Sequence, residues 1–228
     1  MIPLRTIAQL AAAFSALLLA NCANQKPSTE FTKDGNPVNP FAPGTYDHFK
    51  AEPNYRKTYD VWKDDSLLAA TNPENSSIVV NLKTQRATLM NGTNVAMDYP
   101  ICSGIPSRPT PPGTYYILEK IVDKRSNKYG SMLDASGEVV NSNAEIGLDP
   151  VPEGGSFRGA SMSYWMRLTN DGIGHHIGPL PKSRRPASHA CIRGPGKTMP
   201  VVYSKVKIGT RFTIVSGDDD DSGPPNKL

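Results

Sequence analysis

The sequence predicts a mainly β protein with a single folded domain between irregular ends. Short apolar runs alternate with polar residues between positions 77 and 216, and turn-forming Pro and Gly residues separate the runs. The whole chain contains 21 Pro and 19 Gly among 228 residues, and this length suffices for one domain with a complete hydrophobic core. We therefore expect strands joined by tight turns, with one short helix near the C-terminal end.

Residues 1–22 are predicted to be a signal peptide. A short basic start, "MIPLR", precedes the apolar run "TIAQLAAAFSALLLA", which is too short to span a bilayer comfortably. The run ends in "LANC", which resembles a bacterial lipobox, although Asn21 stands where a smaller residue is usual. We predict a lipoprotein, lipidated at Cys22 and anchored to a membrane; the alternative is an ordinary cleaved signal peptide. Both place the protein in the cell envelope, in the periplasm.

Two segments lack the patterning of a folded core. Residues 23–76 are rich in Pro, Asn, Lys and Asp without a sustained apolar period, so we predict a linker with little regular structure, in which only residues 55–70 favour a short helix. Residues 217–228, "GDDDDSGPPNKL", are predicted to form an acidic disordered tail.

The elements between these segments follow from local patterns. The runs "SIVVNL" and "RATLM" predict strands, and Asn91-Gly92 predicts a hairpin turn into a third strand, "VAMDYPICSG". A long strand follows the Pro-rich entry in "RPTPPGTYYILEKIVD", and "YWMRLTNDGIGHHIG" predicts two strands around a turn, with its Tyr-Trp pair packed in the core. Pro200 suits the first position of a helix over residues 199–206, Gly209 can end it, and "TRFTIVS" closes the domain as a strand.

One stretch concentrates residues that can perform chemistry. Residues 174–196 contain three of the four histidines and one of the three cysteines. An imidazole beside a thiol can accept its proton and stabilise the thiolate. His189 lies two residues before Cys191, so both side chains leave an extended segment by the same face. His175 and His176 are adjacent, so only one of them can face such a site, and the periodicity does not say which.

Other functional classes fit the sequence less well. The stretch lacks a paired Cys-x-x-Cys or His-x-x-x-His element, so we predict no metal site and no cofactor. The net charge of +4 comes from scattered basic residues without aromatic interleaving, which argues against nucleic-acid binding. Lys182, Arg184 and Arg185 either bind carboxylates of a ligand or form a solvated surface loop.

Several motifs together resemble a known family. "PASHACIR" is similar to the "Ser-His-Gly-Cys-Ile-Arg" signature of the YkuD-like L,D-transpeptidase catalytic domains. "RLTNDGIGHHIGPLP" resembles the "RLT-x-x-G-x-x-x-His-x-Gly-x-Leu-Pro" segment of one proteobacterial branch. "YPICSGIPSRPTPPGTYYILEK", "DKRSNKYGS" and "KIGTRFTIV" match further motifs of the family in the same order. The resemblance implies a YkuD-like β-sandwich catalytic domain over residues 77–216.

The resemblance also implies a reaction and a set of site residues. Enzymes of this family attack the amide between the third residue of a peptidoglycan stem peptide, often diaminopimelate, and the terminal D-Ala; a cysteine thioester forms and an amine resolves it. By position, Cys191 is the nucleophile and His176 is the base, oriented by a backbone carbonyl. The remaining motif positions are auxiliary or substrate-binding: His189, Ser188, Arg193, His175 and Gly178.

This sequence departs from the family pattern at three positions. Ala190 replaces the glycine before the nucleophile, and a positive φ there would strain the turn by roughly 1 kcal/mol or more. Gly194 stands where an apolar side chain is usual. Cys102 replaces a Ser or Thr, and it is either a buried, inert thiol or close enough to Cys191 for a disulfide. The alternatives to a transpeptidase are a carboxypeptidase or amidase that uses water, and a non-catalytic peptidoglycan-binding homologue inactivated by Ala190.

Overall fold

The computed structural model describes Lys33, Gly35 and residues 38–217. The predicted signal peptide, Cys22 and nearly all of the predicted acidic tail lie outside the described residues. Within them, the helices are α1 (Tyr46–Ala51), α2 (Asp65–Ala70) and α3 (Met199–Ser204). The strands are β1 (Trp62–Lys63), β2 (Ser76–Asn81), β3 (Arg86–Asn91), β4 (Asn94–Pro100), β5 (Gly113–Tyr116), β6 (Glu119–Ile121), β7 (Arg125–Leu133), β8 (Val139–Glu145), β9 (Ser156–Ser161), β10 (Trp165–Arg167), β11 (Gly174–Ile177), β12 (Ile192–Gly194) and β13 (Arg211–Val215).

The strands form three sheets, which confirms the prediction of a mainly β fold. Their orders are β1-β4-β3-β2-β13-β5, β12-β11-β10-β6 and β8-β7-β9. Most neighbours are antiparallel, but β13 pairs parallel with β2, and β12 pairs parallel with β11. A parallel pair needs a long crossover connection. The connection from β11 to β12, residues 178–191, carries the Ser-His-Ala-Cys motif, and we call it the nucleophile loop.

The core contains residues of the six-stranded sheet, the four-stranded sheet and α3. In β2 the buried residues Ile78 and Val80 alternate, as a period of two requires, whereas Phe212, Thr213 and Ile214 of β13 are all buried. Trp165 is buried, as predicted, and Tyr164 packs edge-on against Tyr203. The largest fully buried apolar side chains include Tyr99, Phe212, Ile78, Leu89, Met166, Ile192 and Met199.

The predicted hairpin is confirmed, and its turn lies one residue later than the Asn-Gly pattern suggests. Asn91 pairs with Asn94, so Gly92 and Thr93 are the central residues. Gly92 has a φ of 57° and Thr93 has no positive φ. A positive φ at the first central residue alone is the signature of a type II′ turn, which suits the twist of a hairpin.

The predicted C-terminal helix is α3. Its first turn contains Pro200, and Met199 and Val202 face the core. The helix ends at Ser204, two residues before the predicted end, and Gly209 turns the chain into β13 with a φ of 88°. The expected short helix near the C-terminal end is confirmed; α1 and α2 are two further helices, and both come before β2 in the chain.

The prediction of a linker over residues 23–76 is wrong for its C-terminal part. Strand β1 pairs with the edge strand β4, and α2 follows it. Helix α2 begins after Asp64, whose carboxylate accepts a hydrogen bond of 2.8 Å from the Leu67 N–H, an ordinary N-cap. This helix lies within the segment that the sequence marked as able to form one. The chain from residue 52 onward forms one compact unit.

Residues 55–60, which we call the strap, are bound to the six-stranded sheet through a buried arginine. The guanidinium of Arg86 donates to the Asp98 carboxylate at 2.6 Å, and both side chains are buried. It also donates to the backbone carbonyls of Tyr55 at 3.3 Å, Thr58 at 3.3 Å and Asp60 at 2.8 Å. A buried charge needs such partners, because an unpaired one costs several kcal/mol, of order 3–5. The strap therefore belongs to the folded domain.

Helix α1 belongs to a separate compact unit that ends at Ala51. The hydroxyl of Thr45 accepts a hydrogen bond from the His48 N–H at 3.2 Å, and Asn39 donates to the His48 carbonyl at 2.8 Å. Of the helices in the described part of the chain, none is long and apolar enough to cross a membrane.

Candidate active site

The parallel pairing of β11 and β12 decides which of the two adjacent histidines shares a face with Arg193. His175 lies opposite Ile192 and His176 lies opposite Arg193. Successive side chains of a strand point to opposite faces, so His176 and Arg193 share one face and His175 and Ile192 share the other. Cys191 immediately precedes β12 and belongs by the same alternation with Arg193. The register therefore places His176, Arg193 and Cys191 on one face.

His175 is a core residue, and the expectation that it is auxiliary or substrate-binding is wrong. Its side chain is 0% exposed. Its Nδ1–H donates to the Ile192 carbonyl at 2.9 Å, so its Nε2 accepts from the hydroxyl of Tyr99 at 3.0 Å. Burial lowers the pKa of His175 to about 4. The neutral ring thus links β4 to β11 and β12 inside the core.

His176 has the tautomer and charge of a base. Its Nδ1 lies 2.7 Å from the Ile177 carbonyl, and since a carbonyl only accepts, Nδ1 carries the proton and Nε2 keeps its lone pair. Burial lowers the pKa of His176 to about 4, with Arg193 acting in the same direction and the Ile177 hydrogen bond opposing it. The imidazole is therefore neutral near pH 7 and can accept a proton. This arrangement matches the carbonyl-oriented imidazole that the family resemblance implied.

Cys191 is a half-buried thiol at the start of β12. Its Sγ lies 3.6 Å from the Gly172 carbonyl, to which it donates. Burial is the main effect on its pKa and raises it, and Asp171 acts in the same direction. A backbone hydrogen bond from Gly174 and the charge of Arg193 oppose this rise in pKa. At neutral pH the resting site holds a neutral thiol and a neutral imidazole, so thiolate formation requires proton transfer to a base.

Ala190 adopts the left-handed turn that a glycine usually makes, with a φ of 77°. Its carbonyl accepts a hydrogen bond from the Thr110 hydroxyl at 2.7 Å, and that hydroxyl accepts from the Gly104 N–H at 2.8 Å. A Cβ on Gly104 would lie 2.8 Å from the Ala190 Cα, so only glycine fits there. The backbone of Ser188, which is buried, pairs with the segment after β4 through the Ser103 carbonyl at 3.0 Å. Surrounding contacts therefore hold the turn despite its strain.

Arg193 is central to the face that carries Cys191. Its charge lowers the pKa of Cys191, His176 and His189, which requires the guanidinium to lie near all three. Gly178 makes room for it, because a Cβ there would lie 2.7 Å from the Arg193 Cγ. The ring of His189 is half-buried and lies 4.6 Å from that of Tyr129. Burial lowers the pKa of His189, with Arg108 and Arg193 contributing.

The other two departures from the family pattern have structural reasons. Cys102 is fully buried, pairs through its backbone with Arg193, and is a free thiol, as is Cys191. Of the two alternatives for Cys102, a buried thiol or a disulfide with Cys191, the structure contains the buried free thiol. A Cβ on Gly194 would lie 2.9 Å from the Cγ of Met199, whose side chain fills the space that an apolar residue would otherwise occupy.

Arg184 braces the nucleophile loop and is not available to a ligand. Its guanidinium donates to the carbonyls of Ile101 at 3.0 Å and Gln85 at 2.9 Å, and it lies 5.2 Å from the ring of Tyr59. The hydroxyl of Tyr59, in the strap, donates to the Pro181 carbonyl at 2.7 Å. Sequence reasoning missed this contact, because nothing in the pattern of the strap marks it as a partner of the loop.

The described part of the chain contains no group of three or more His, Cys, Asp or Glu side chains that could hold a metal ion. The groups that the described residues bring to this site are a half-buried thiol, a buried imidazole and a guanidinium.

Comparison with known proteins identifies the domain. The family model of the L,D-transpeptidase catalytic domain, YkuD, matches residues 75–214, which is more than half of the chain. The chain belongs to this family. No curated protein matches.

Solved L,D-transpeptidase structures are also similar to the chain. The L,D-transpeptidase from Mycobacterium smegmatis is 20% identical over 62% of this chain and 58% of that one, with a TM-score of 0.46. An L,D-transpeptidase from Mycobacterium tuberculosis H37Rv is 18% identical over 62% and 57%, with a TM-score of 0.45. The catalytic domain of the E. faecium L,D-transpeptidase is 27% identical over 62% and 98%, with a TM-score of 0.43. The chain covers less than two thirds of the length of both mycobacterial proteins.

Proposed function

We propose that the protein is a peptidoglycan L,D-transpeptidase of the cell envelope, with Cys191 as its nucleophile and His176 as its base. One observation carries the proposal: the β11–β12 register, which assigns a neutral imidazole with a free Nε2 to the face of Arg193 and Cys191. The membership of the chain in the L,D-transpeptidase catalytic domain family supports the same reaction class.

Acylation begins with transfer of the Cys191 proton to Nε2 of His176 as the sulfur attacks the carbonyl carbon of the third stem residue. The backbone N–H of Cys191 is the nearest donor for the tetrahedral oxyanion. The C–N bond then breaks, His176 returns the proton to the departing amine of D-Ala, and a thioester remains. Arg193 favours the thiolate during this step, since its charge lowers the pKa of Cys191.

Deacylation reverses these roles. An amine of an acceptor stem attacks the thioester carbonyl and loses a proton to His176, which passes it to the departing sulfur. If water takes the place of the amine, the product is a free carboxylate, as in a carboxypeptidase or amidase. Ala190 does not argue for an inactive binding protein, because it keeps the turn that the family glycine makes.

The direct test is incubation of the purified protein with tetrapeptide muropeptides. We expect release of D-Ala and formation of cross-linked dimers, and the loss of both in Cys191→Ala. Cys102→Ser is the matched control, because the family resemblance implies a hydroxyl residue there, and it should keep activity. Release of D-Ala by Cys191→Ala at the parent rate would rule out Cys191 as the nucleophile. Product masses separate amine transfer from hydrolysis.

Location is a separate part of the proposal. The sequence of residues 1–22 supports export and lipidation at Cys22. Metabolic labelling with a fatty acid should label the full-length protein and leave Cys22→Ser unlabelled. An exported but unlabelled parent protein would instead fit an ordinary signal peptide.

A further inference from the structure

A pocket of about 330 Å³ opens beside the candidate active site. Residues of the three-stranded sheet β8-β7-β9 line it together with His189 and Arg193, which precede and follow Cys191 by two residues. Arg125 of β7 and Arg158 of β9 line it from the sheet. None of the described residues that line the pocket is acidic.

The positive charge of this pocket is not cancelled by its surroundings. Glu145 is the carboxylate whose charge reaches His189, and it is paired with Arg108 at 3.0 Å and Lys128 at 3.2 Å. Arg125 donates to the Gly159 carbonyl at 3.0 Å, a bond that directs the guanidinium without neutralising it. Three arginines thus share a polar concavity without an acidic partner among its lining residues, an arrangement that attracts an anion.

Arg193 connects the pocket to the reacting atoms. Arg193 lines the pocket, lies opposite His176 in the β11–β12 register, and follows Cys191 by two residues. An anion bound between Arg125, Arg158 and Arg193 would therefore lie on the side of the site that carries Cys191. The guanidinium group binds a carboxylate through two parallel hydrogen bonds, which fixes orientation as well as position.

We propose that this pocket binds a carboxylate of the acyl-donor stem peptide through Arg125 and Arg158, together with Arg193. The inference rests on the proposed function, because that function supplies the stem peptide as ligand. A tetrapeptide stem that contains diaminopimelate offers two such groups, the side-chain carboxylate of the third residue and the C-terminal carboxylate of D-Ala. Either one has the charge and planar shape that the arginines recognise.

The test measures binding without turnover, in the full-length protein with Cys191→Ala. Three tetrapeptides are titrated by calorimetry: the parent stem, the stem amidated on the third-residue side chain, and the stem amidated at its C-terminus. Arg125→Gln and Arg158→Gln are added singly. Arg211→Gln is the matched control, because Arg211 is an exposed arginine of β13 that does not line the pocket.

We expect each pocket substitution to raise Kd for the parent stem by roughly tenfold or more, the usual loss for a charge-assisted hydrogen bond. The stem whose pocket-bound carboxylate is amidated should bind weakly to the parent site, and Arg125→Gln or Arg158→Gln should change its Kd little. The stem that behaves in this way identifies the carboxylate that the pocket binds. Changes below twofold, or equal weakening of all three stems, would overturn the pocket assignment. Selective binding without D-Ala release by the unmodified protein would overturn the proposed reaction and leave the pocket assignment in place.

Discussion

Ala190 adopts a left-handed backbone conformation that costs an alanine about 1–2 kcal/mol. The hydrogen bonds of the Thr110 hydroxyl with the Ala190 carbonyl and the Gly104 N–H, together with the close packing of Gly104, stabilise this conformation. We therefore expect Cys191 to be positioned as it would be after a glycine, and we expect the alanine to affect stability more than chemistry.

We predict that Ala190→Gly raises the free energy of unfolding by roughly 1 kcal/mol, because glycine adopts a positive φ without strain. D-Ala release should stay within twofold of the parent rate, since the turn is already formed. Urea unfolding and kcat/KM measure the two effects. Ala187→Gly is the control in the same loop and, without a positive φ to relieve, should lower stability. A large gain in turnover for Ala190→Gly would contradict this account.

The resting charge state of Cys191 gives a second prediction at this scale. Because burial raises the pKa of its thiol, the rate of alkylation by iodoacetamide should rise about tenfold per pH unit from pH 6 to 8. The measurement uses Cys102→Ser, so that Cys191 is the thiol of the folded domain that reacts. A plateau beginning near pH 6 would instead reveal a standing thiolate–imidazolium pair.

The residue pattern alone could not show which of the adjacent residues His175 and His176 faces the core. Their alternation was evident from the sequence, but the orientation depends on the register between β11 and β12, a long-range pairing that no local pattern specifies. The motif resemblance assigned His176 as the base, a role that stays a prediction, and the register puts His176 opposite Arg193. The core hydrogen bonds of His175 require Tyr99, far away in the sequence.

At the scale of elements, periodic segments were predictable and irregular ones were not. Strands β2, β3, β4 and β13 coincide with short apolar runs between turn residues, and Pro200 marked α3. The three-stranded sheet was not predicted from local pattern, because its strands are largely exposed and its pairings contain register shifts. The strap was missed because the hydrogen bonds that it offers Arg86 come from its backbone carbonyls, which leave no mark in the sequence.

The strap leads to a prediction about truncation. A chain that begins at residue 52 keeps the three strap carbonyls that bind Arg86 and should keep the stability of the catalytic domain. A chain that begins at residue 62 removes three of these partners and should lose about 1–3 kcal/mol or more, the cost of leaving buried donors unsatisfied. Urea unfolding of the two chains measures the difference. Equal midpoints would show that the strap contributes little to stability.

For the whole molecule, the two buried histidines predict sensitivity to acid. Their pKa values are about 4 when folded and about 6.5 in an unfolded chain, so the unfolded state binds more protons between these values. Stability should therefore fall as pH falls from 6.5 toward 4, by up to about 1.4 kcal/mol per pH unit for each histidine.

Urea unfolding of the parent protein and of His175→Gln at several pH values tests this prediction. The variant is less stable overall because it disturbs the core, but its stability should depend less steeply on pH. An unchanged slope would mean that His175 is not a source of the acid sensitivity.

The two adjacent histidines of β11 also determine what a wrong alignment of β11 against β12 would produce during folding. If β11 slid by one residue against β12, His175 would take the place of His176 beside Cys191, and the wrong pairing would still present an imidazole to the thiol. The mispaired strand would lose the bond from Tyr99 to His175, so the core selects the correct alignment where imidazole chemistry alone would not. The buried contacts of His175 thus favour the strand alignment in which His176 lies opposite Arg193.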